Sequence, residues 1–177
     1  LKRMKRPGDR GYYEKMVERA RTIVPGIALR TTFIVGFPGE TDADFDELVG
    51  FVRSAEFDRM GVFTYSDEEG TDAFHLDAKV DAEVAAERRD RLMEIQREIS
   101  ERRNRALVGS QVKVLSEGRS DETDLLFQGR MESQAPQIDG VVLINELADD
   151  ERLPEEGEFL TVEITEAHEY DLVGRVV

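Results

Sequence analysis

The segment that most constrains the fold is Thr31–Thr41, whose sequence is TTFIVGFPGET. Its first half is apolar, β-branched or aromatic and carries no charge, which is typical of a parallel strand buried on both faces. In its second half, Gly36 and Gly39 permit positive φ or close backbone approach and indicate a tight turn. Thr41 then predicts a helix N-cap, which Asp44 completes as a capping box. In α/β folds, ligands bind beyond the carboxyl ends of such strands.

The segments that follow complete a βαβ unit. Residues 42–56 have apolar positions at helical spacing, and residues 59–65, RMGVFTY, have the composition of a second strand. A strand, a helix and a strand in this order give a right-handed crossover with parallel strands. Because one such unit leaves sheet edges unpaired, we expect it to be the C-terminal remainder of a larger α/β domain. The two glycines are equally compatible with a βα turn that binds nothing.

The lack of cysteine removes several functional classes. The chain has 177 residues, enough for one large or two small domains, and contains 0 Cys and 2 His. Without thiolates it forms neither disulfides nor cysteine-ligated metal sites, which fits an intracellular, cytoplasmic location. His75 and His168 lie in unrelated segments, so we assign no metal site to them. No apolar run approaches the roughly 20 residues that a membrane-spanning helix requires.

The charge of the chain is concentrated in its last third. The formal net charge is −15, and residues 110–177 carry 17 acidic side chains against 5 basic ones, a net of −12. Residues 1–109 carry 22 acidic against 19 basic side chains, a net of −3. An acidic region of this kind repels phosphate and attracts basic partners, which disfavours direct binding of nucleic acid. A surface that serves solubility alone has the same composition.

Two helices flank the βαβ unit. The first covers roughly residues 11–24. The second, residues 81–107, alternates in charge and has a narrow apolar stripe that includes Arg88, Leu92 and Ile95. This pattern is typical of a helix that is strapped to one domain or connects two. A basic cluster precedes the first helix and comprises Lys2, Arg3, Lys5 and Arg6. Either these side chains face a phosphate or a carboxylate, or they form a solvated helix face.

After Ser110 the pattern changes to short strands separated by loops rich in Gly, Asp, Glu, Ser and Pro. Five strands in this space predict a small antiparallel barrel of the OB-like kind. Such barrels bind nucleic acids or proteins on one face, and the acidic composition favours a protein. The predicted strands are residues 111–117, 125–132, 140–145, 158–165 and 170–177. The predicted domains are residues 1–80, a connecting helix at 81–109 and a barrel at 110–177.

Several separated motifs resemble one enzyme family. The segments LKRMKRPGDR, RTTFIVGFPGETDADF, FDRMGVFTYSDEEGT and ERRDRLMEIQREISERRNRALVG are similar, in this order, to the radical S-adenosylmethionine methylthiotransferases. The barrel resembles the TRAM domain at residues 104–109, 129–130, 138–140 and 169–174. The resemblance implies an α/β plus all-β fold class. Its parts are the last βαβ elements of a radical S-adenosylmethionine TIM-type barrel, a long linker helix and the five-stranded barrel.

The resemblance also implies S-adenosylmethionine and two iron–sulfur clusters as cofactors. Ile34 and Gly36 match the residues that lie beneath the adenine, and Phe63 and Tyr65 match the residues at its edge. A branched side chain at Gly36 is therefore expected to weaken binding of this cofactor more than folding. Core packing explains Ile34 and Phe63 equally well. Because the clusters almost always need thiolates and this chain has no Cys, we expect it to hold neither cluster and to be catalytically silent alone.

Within this family, the chain most resembles the enzymes that methylthiolate an aspartate of a decoding-centre protein of the small ribosomal subunit. The acidic barrel is then expected to recognise that basic protein, with Glu155, Glu156 and Glu158 as a substrate-binding patch. Two alternatives remain open, the tRNA-modifying branch and a non-catalytic module that binds a basic protein. The tRNA branch usually has a YSPRPGT-like loop. Here Asp67 and Asp72 stand where the family usually has Pro, which leaves the rigidity of this loop open.

Overall fold

A computed structural model of the chain describes residues 2–120, 123, 125–147 and 153–177. The chain forms two compact units, the first ending at Gln96 and the second beginning at Arg97. No helix in the described part of the chain is long and apolar enough to span a membrane. The predicted three-part division at residues 80 and 109 stays a prediction.

The first unit contains the predicted βαβ arrangement. Its elements are α1 Arg10–Ile23, β1 Arg30–Val35, α2 Asp42–Ala55, β2 Arg59–Thr64 and α3 Ala82–Arg105, of which α3 continues into the second unit. β1 and β2 pair in parallel, with Ile34 opposite Phe63, and α2 connects them. A 3₁₀ turn at Lys2–Met4 precedes α1, and a second one at Asp72–His75 precedes α3.

Only one face of the β1–β2 pair is covered by the described elements. On that face Phe33 makes edge-to-face contacts with Phe51 of α2 and with Phe57, at centroid distances of 6.3 and 6.0 Å. On the opposite face Ile34 is 42% exposed and Phe63 is 63% exposed. The prediction of a strand buried on both faces is therefore wrong for these residues, because the helical packing reaches the sheet from one side.

The predicted capping box begins α2. The Thr41 hydroxyl accepts from the Asp44 amide at 3.2 Å, and the Thr41 amide donates to the Asp44 carboxylate at 2.9 Å. Two backbone amides that the helix itself leaves without partners are thus satisfied. The helix ends at Ala55, and its C-cap residue Glu56 has a left-handed backbone with φ 44°. The local sequence therefore determines where this crossover helix begins.

The second unit is the predicted five-stranded barrel. Its strands are β3 Gln111–Arg119, β4 Phe127–Arg130, β5 Val142–Glu146, β6 Phe159–Ala167 and β7 Leu172–Val176. The barrel closes in the order β3-β4-β5-β7-β6. The inward positions recur every second residue, and Val114, Ile144 and Val162 are fully or almost fully buried.

The barrel is mixed, so the prediction of an antiparallel barrel is wrong in one pairing. β5 and β7 run parallel, with Val142 opposite Leu172, whereas the other four pairings are antiparallel. The reason is geometric, because alternating directions cannot close a ring that has an odd number of strands. Within the second unit, the buried Asn104 amide at the end of α3 donates to the carbonyls of His168 and Glu169 at 3.0 and 3.3 Å.

Thr41→Ala tests the capping box. It removes the oxygen that accepts from the Asp44 amide, and we expect the free energy of unfolding to fall by about 1 kcal/mol. The hydrogen bonds from the Thr41 side chain and amide lower the pKa of Asp44. The stability that Asp44 contributes is therefore present above its unfolded pKa and is lost as pH falls through the lowered folded value.

Urea denaturation between pH 7 and pH 3 measures both effects. Thr22→Ala is the control, since the Thr22 hydroxyl donates to the Glu18 carbonyl within α1 and caps nothing. The difference in unfolding free energy between the wild type and Thr41→Ala should become smaller at acidic pH. A difference that stays constant over this range contradicts the role given to the Asp44 carboxylate.

Candidate functional site

A tight turn after β1 forms one wall of the candidate site. Gly36 and Gly39 have left-handed backbones, with φ of 76° and 83°. The Glu40 amide donates to the Phe37 carbonyl at 2.9 Å, and the Gly39 amide donates to the Ala78 carbonyl at 2.8 Å. Both glycines are therefore needed for the path of the backbone, as the sequence predicted.

The N-terminal basic cluster contacts this turn. Arg3 Nη1 donates to the Pro38 carbonyl at 2.9 Å. A Cβ at Gly39 would lie 1.4 Å from the same nitrogen, so Gly39 makes room for the guanidinium. Lys5 forms an exposed ion pair with Asp72. Two of the four cluster residues thus contact a carbonyl and a carboxylate, and the Lys2 side chain lies outside the described part of the structure.

A small cavity lies at the carboxyl ends of β1 and β2. Its volume is about 140 Å³, below the 300–1,000 Å³ of a typical complete ligand pocket. The Tyr65 amide donates to the Val35 carbonyl at 2.8 Å, which continues the strand pairing up to the cavity edge. The lining residues are Gly36, Thr64, Tyr65, Asp67, Lys79, Val80, Ala82 and Ala85. The cavity is therefore suited to part of a ligand, at the position predicted from the sequence.

The four predicted cofactor residues occupy two adjoining places. Gly36 and Tyr65 line the cavity. Ile34 and Phe63 lie just before it as direct partners across the strand pair, on the open face. Their exposure contradicts the alternative that both side chains are packed in a core within the described residues. The assignment of these residues to S-adenosylmethionine stays a prediction.

The loop after β2 is held by Lys79. Its ammonium group forms an ion pair with Asp67 and donates to the carbonyls of Ala73 and Phe74, both at 3.1 Å. It also lies 5.5 Å from the centre of the Tyr65 ring. The hydrogen bond from Lys79 is the main reason why the pKa of Asp67 is below its ordinary value. Where proline would stiffen such a loop, this chain uses an ion pair.

Tyr65 has an unusual environment at the cavity. Its hydroxyl oxygen is buried and makes no hydrogen bond of normal geometry within the described residues. Burial raises the pKa of Tyr65, and the nearby Asp67 carboxylate raises it further. The phenol is therefore neutral at physiological pH, and its oxygen can accept a hydrogen bond from a ligand.

The predicted acidic patch lies in one turn before β6. Glu155 and Glu156 are exposed, whereas Glu158 is partly buried and accepts from the Glu155 amide at 3.3 Å. The backbone of this turn is bonded to Ser116 of β3. The next residue, Phe159, is 62% exposed, and its ring centre lies 4.1 Å from the Lys113 ammonium. The three glutamate residues thus lie in one turn, and their role in substrate binding stays a prediction.

Among residues 2–120, 123, 125–147 and 153–177, no group of three or more His, Cys, Asp or Glu side chains could hold a metal ion. A wider groove of about 470 Å³ runs between α1 and α2 and is lined by residues such as Val17, Arg21 and Phe51. It lies away from the strand ends and brings together no catalytic set of side chains within the described residues. The strand-end cavity is therefore the better candidate.

Sequence reasoning did not place three cations around the turn, namely Arg3, Lys79 and Arg88. For Arg88 a signal was present, because it occupies an apolar position in the stripe of α3 and is 6% exposed. An arginine at such a position needs a buried acceptor. For Lys79 the local sequence offered no comparable signal, since its partners come from a loop without regular spacing.

Comparison with known proteins supports the resemblance. Residues 108–177 match the family model described as TRAM domain. Over all 177 residues the chain is 55% identical to "Ribosomal protein uS12 methylthiotransferase RimO" of Solibacter usitatus, and this match covers 38% of that protein. Proteins of the same name are 50% identical in Koribacter versatilis and 46% identical in Trichlorobacter lovleyi, with 35% and 38% of each covered. The chain thus spans little more than a third of the length of these relatives.

Gly36→Ala tests the packing of the turn. A Cβ at Gly36 would lie 2.5 Å from the Ala85 Cβ. We expect a loss of about 1 kcal/mol of unfolding free energy for the left-handed backbone and a further ~1–3 kcal/mol for overpacking. A branched side chain at Gly36 is therefore expected to perturb the fold itself. The sequence-based expectation that it acts mainly on ligand binding stays a prediction, and a variant at Gly36 cannot by itself test the ligand site.

Gly70→Ala is the matched control, since Gly70 has a φ of 83° and no atom lies within 4 Å of the place that its Cβ would occupy. In urea denaturation, Gly70→Ala should lose the unfolding free energy that the left-handed backbone costs, without the further loss that overpacking causes at Gly36. Adding Ala85→Gly to Gly36→Ala should restore part of the difference. Equal losses at Gly36 and Gly70 would show that the contact with Ala85 is unimportant.

Proposed function

Because the chain is similar over its whole length to uS12 methylthiotransferases, we propose that it is the C-terminal part of such an enzyme. The observation that carries this proposal is the identity of 46–55% across all 177 residues, combined with the TRAM domain at residues 108–177. The proposed reaction is methylthiolation of an aspartate of ribosomal protein uS12 in the cytoplasm.

The strand-end region fits the adenosine part of S-adenosylmethionine. Ile34 and Phe63 offer an exposed apolar surface, Gly36 leaves space at the end of β1, and the buried Tyr65 hydroxyl lies near the Asp67 carboxylate. We infer that these four residues hold the nucleoside by apolar contact and hydrogen bonding. When bound, S-adenosylmethionine supplies radical and methyl-transfer chemistry together with iron–sulfur clusters.

The cluster ligands are not in this chain, which has 0 Cys. Thiolates bind such clusters in almost every known case. We therefore propose that this chain contributes nucleoside and substrate binding and is silent on its own.

Phe63→Ala and Ile34→Ala test the nucleoside site. Both side chains are exposed, so their removal should leave the fold intact while S-adenosylmethionine binding to the complete enzyme weakens. Loss of an aromatic contact with a base is worth about 1–3 kcal/mol. Calorimetric titration measures the affinity. Phe159→Ala is the control, since Phe159 is as exposed as Phe63 but belongs to the barrel; equal affinity in all three variants refutes the site.

The barrel is proposed to recognise the protein substrate. Its 17 acidic against 5 basic residues create a negative field that attracts a partner rich in Lys and Arg and repels the tRNA backbone. Glu155 and Glu156 are the exposed members of the patch, whereas Glu158 supports the turn and is best left unchanged. Opposite fields mainly accelerate the encounter of the two proteins.

Glu155→Lys/Glu156→Lys in the full chain should slow association with uS12 more than it speeds dissociation. Binding should also weaken as salt rises, because at physiological ionic strength charges are screened over about 8 Å. Surface-binding kinetics against uS12 and against tRNA measure both. Glu18→Lys/Glu87→Lys, with the same change in net charge on exposed helical positions, is the control. Tighter binding to tRNA than to uS12 contradicts the proposal and favours the tRNA-modifying branch.

A further inference from the structure

The Glu40 carboxylate connects the turn after β1 to helix α3. One of its oxygens, Oε1, accepts from the Gly36 amide at 3.1 Å and from Arg88 Nη1 at 2.7 Å. The two side chains are nearly buried, with 13% of Glu40 and 7% of Arg88 exposed. Because the same oxygen accepts both hydrogen bonds, the direction of the Gly36 amide depends on where Arg88 holds the carboxylate.

Arg88 is itself fixed in place by further contacts. Its Nη2 donates to the Asp42 carboxylate at 2.6 Å, and its guanidinium carbon lies 5.5 Å from the centre of the Phe45 ring. Burial alone would lower the pKa of Arg88, but the hydrogen bonds to Asp42 and Glu40 raise it above its ordinary value. The guanidinium therefore stays charged, and its planar fork sets the orientation of both carboxylates.

Helix α3 meets the turn at a second point one helical turn earlier. A Cβ at Gly36 would lie 2.5 Å from the Ala85 Cβ, so the backbone of Gly36 is pressed against the helix. Ala85 lines the strand-end cavity together with Gly36. The cavity wall is thus held by one packing contact at Ala85 and one charged contact at Arg88.

We propose that Arg88 and Glu40 form a positioning pair for the nucleoside site. Arg88 holds Glu40, Glu40 holds the Gly36 amide, and the Gly36 peptide then presents a fixed wall to the ligand. Neither side chain lines the cavity, so both act through Gly36. This inference rests on the proposed function in one respect, namely that the ligand is S-adenosylmethionine.

The test uses the complete enzyme with its clusters assembled and S-adenosylmethionine as the probe. Arg88→Gln and Glu40→Gln should each raise the Kd for S-adenosylmethionine roughly tenfold or more, as small misplacements in a site do. The KM for S-adenosylmethionine should rise similarly, while kcat at saturation and the KM for uS12 change little. Arg88→Lys should lie in between, because lysine keeps the charge but lacks the fork.

Arg88→Gln alone leaves the nearly buried Glu40 carboxylate without its cation, which destabilises the fold, whereas Glu40→Gln alone leaves Arg88 paired with Asp42. The double variant Glu40→Gln/Arg88→Gln avoids this and is the decisive protein. It should fold and show faster hydrogen exchange at the Gly36 amide than the wild type. Its Kd for S-adenosylmethionine should not exceed that of the single variant that binds less tightly. Arg91→Gln is the matched control, since Arg91 is exposed on the same helix and pairs with Glu94 at 2.5 Å.

Unchanged affinity in a folded double variant overturns the inference and leaves the proposed function standing. An Arg91→Gln effect as large as that of Arg88→Gln also overturns it, because the change would then be a general property of the helix. If the unaltered enzyme fails to bind S-adenosylmethionine, the proposed function falls as well. Because glutamine keeps an oxygen that can accept from the Gly36 amide, slow exchange in the double variant shows that this hydrogen bond does not depend on Arg88, and this also overturns the inference.

Discussion

The left-handed backbone at Gly36 is the constraint on which the first unit depends. It turns the chain away from the sheet directly after Val35, and it does so where a Cβ would collide with Ala85. The amide that results is held by Glu40, and Glu40 is held by Arg88. Gly36, which has no side chain, is therefore the residue where the end of β1 contacts the first turns of α3. Through Glu40 it is also linked to the start of α2.

Features encoded within a few neighbouring residues were predictable from the sequence. The capping box of Thr41 and Asp44 lies within four residues, and the parallel pairing of β1 with β2 follows from the order of strand, helix and strand. The five barrel strands were recognisable because inward residues such as Val114 and Val162 alternate with polar ones. The parallel β5–β7 pair follows from ring closure, a global property that no single segment expresses.

Contacts between distant segments were beyond sequence reasoning. Arg3 and Pro38 are 35 residues apart, and Arg88 and Glu40 are 48 apart. The partner of a lysine or arginine side chain depends on which carbonyls and carboxylates the fold brings near it. The amino-acid composition does not contain this information. Ile34 and Phe63 show the reverse case, since their apolar character indicated burial and the structure leaves them open.

The open face that Ile34 and Phe63 share also affects how the chain behaves in solution. Apolar side chains that are exposed side by side favour association between molecules. The formal charge of −15 opposes this by mutual repulsion. Salt screens this repulsion, so association should increase with ionic strength. Concentrated samples should therefore contain the fewest associated molecules at low ionic strength. The face that we propose for ligand binding thus also affects the salt conditions under which the chain stays dispersed.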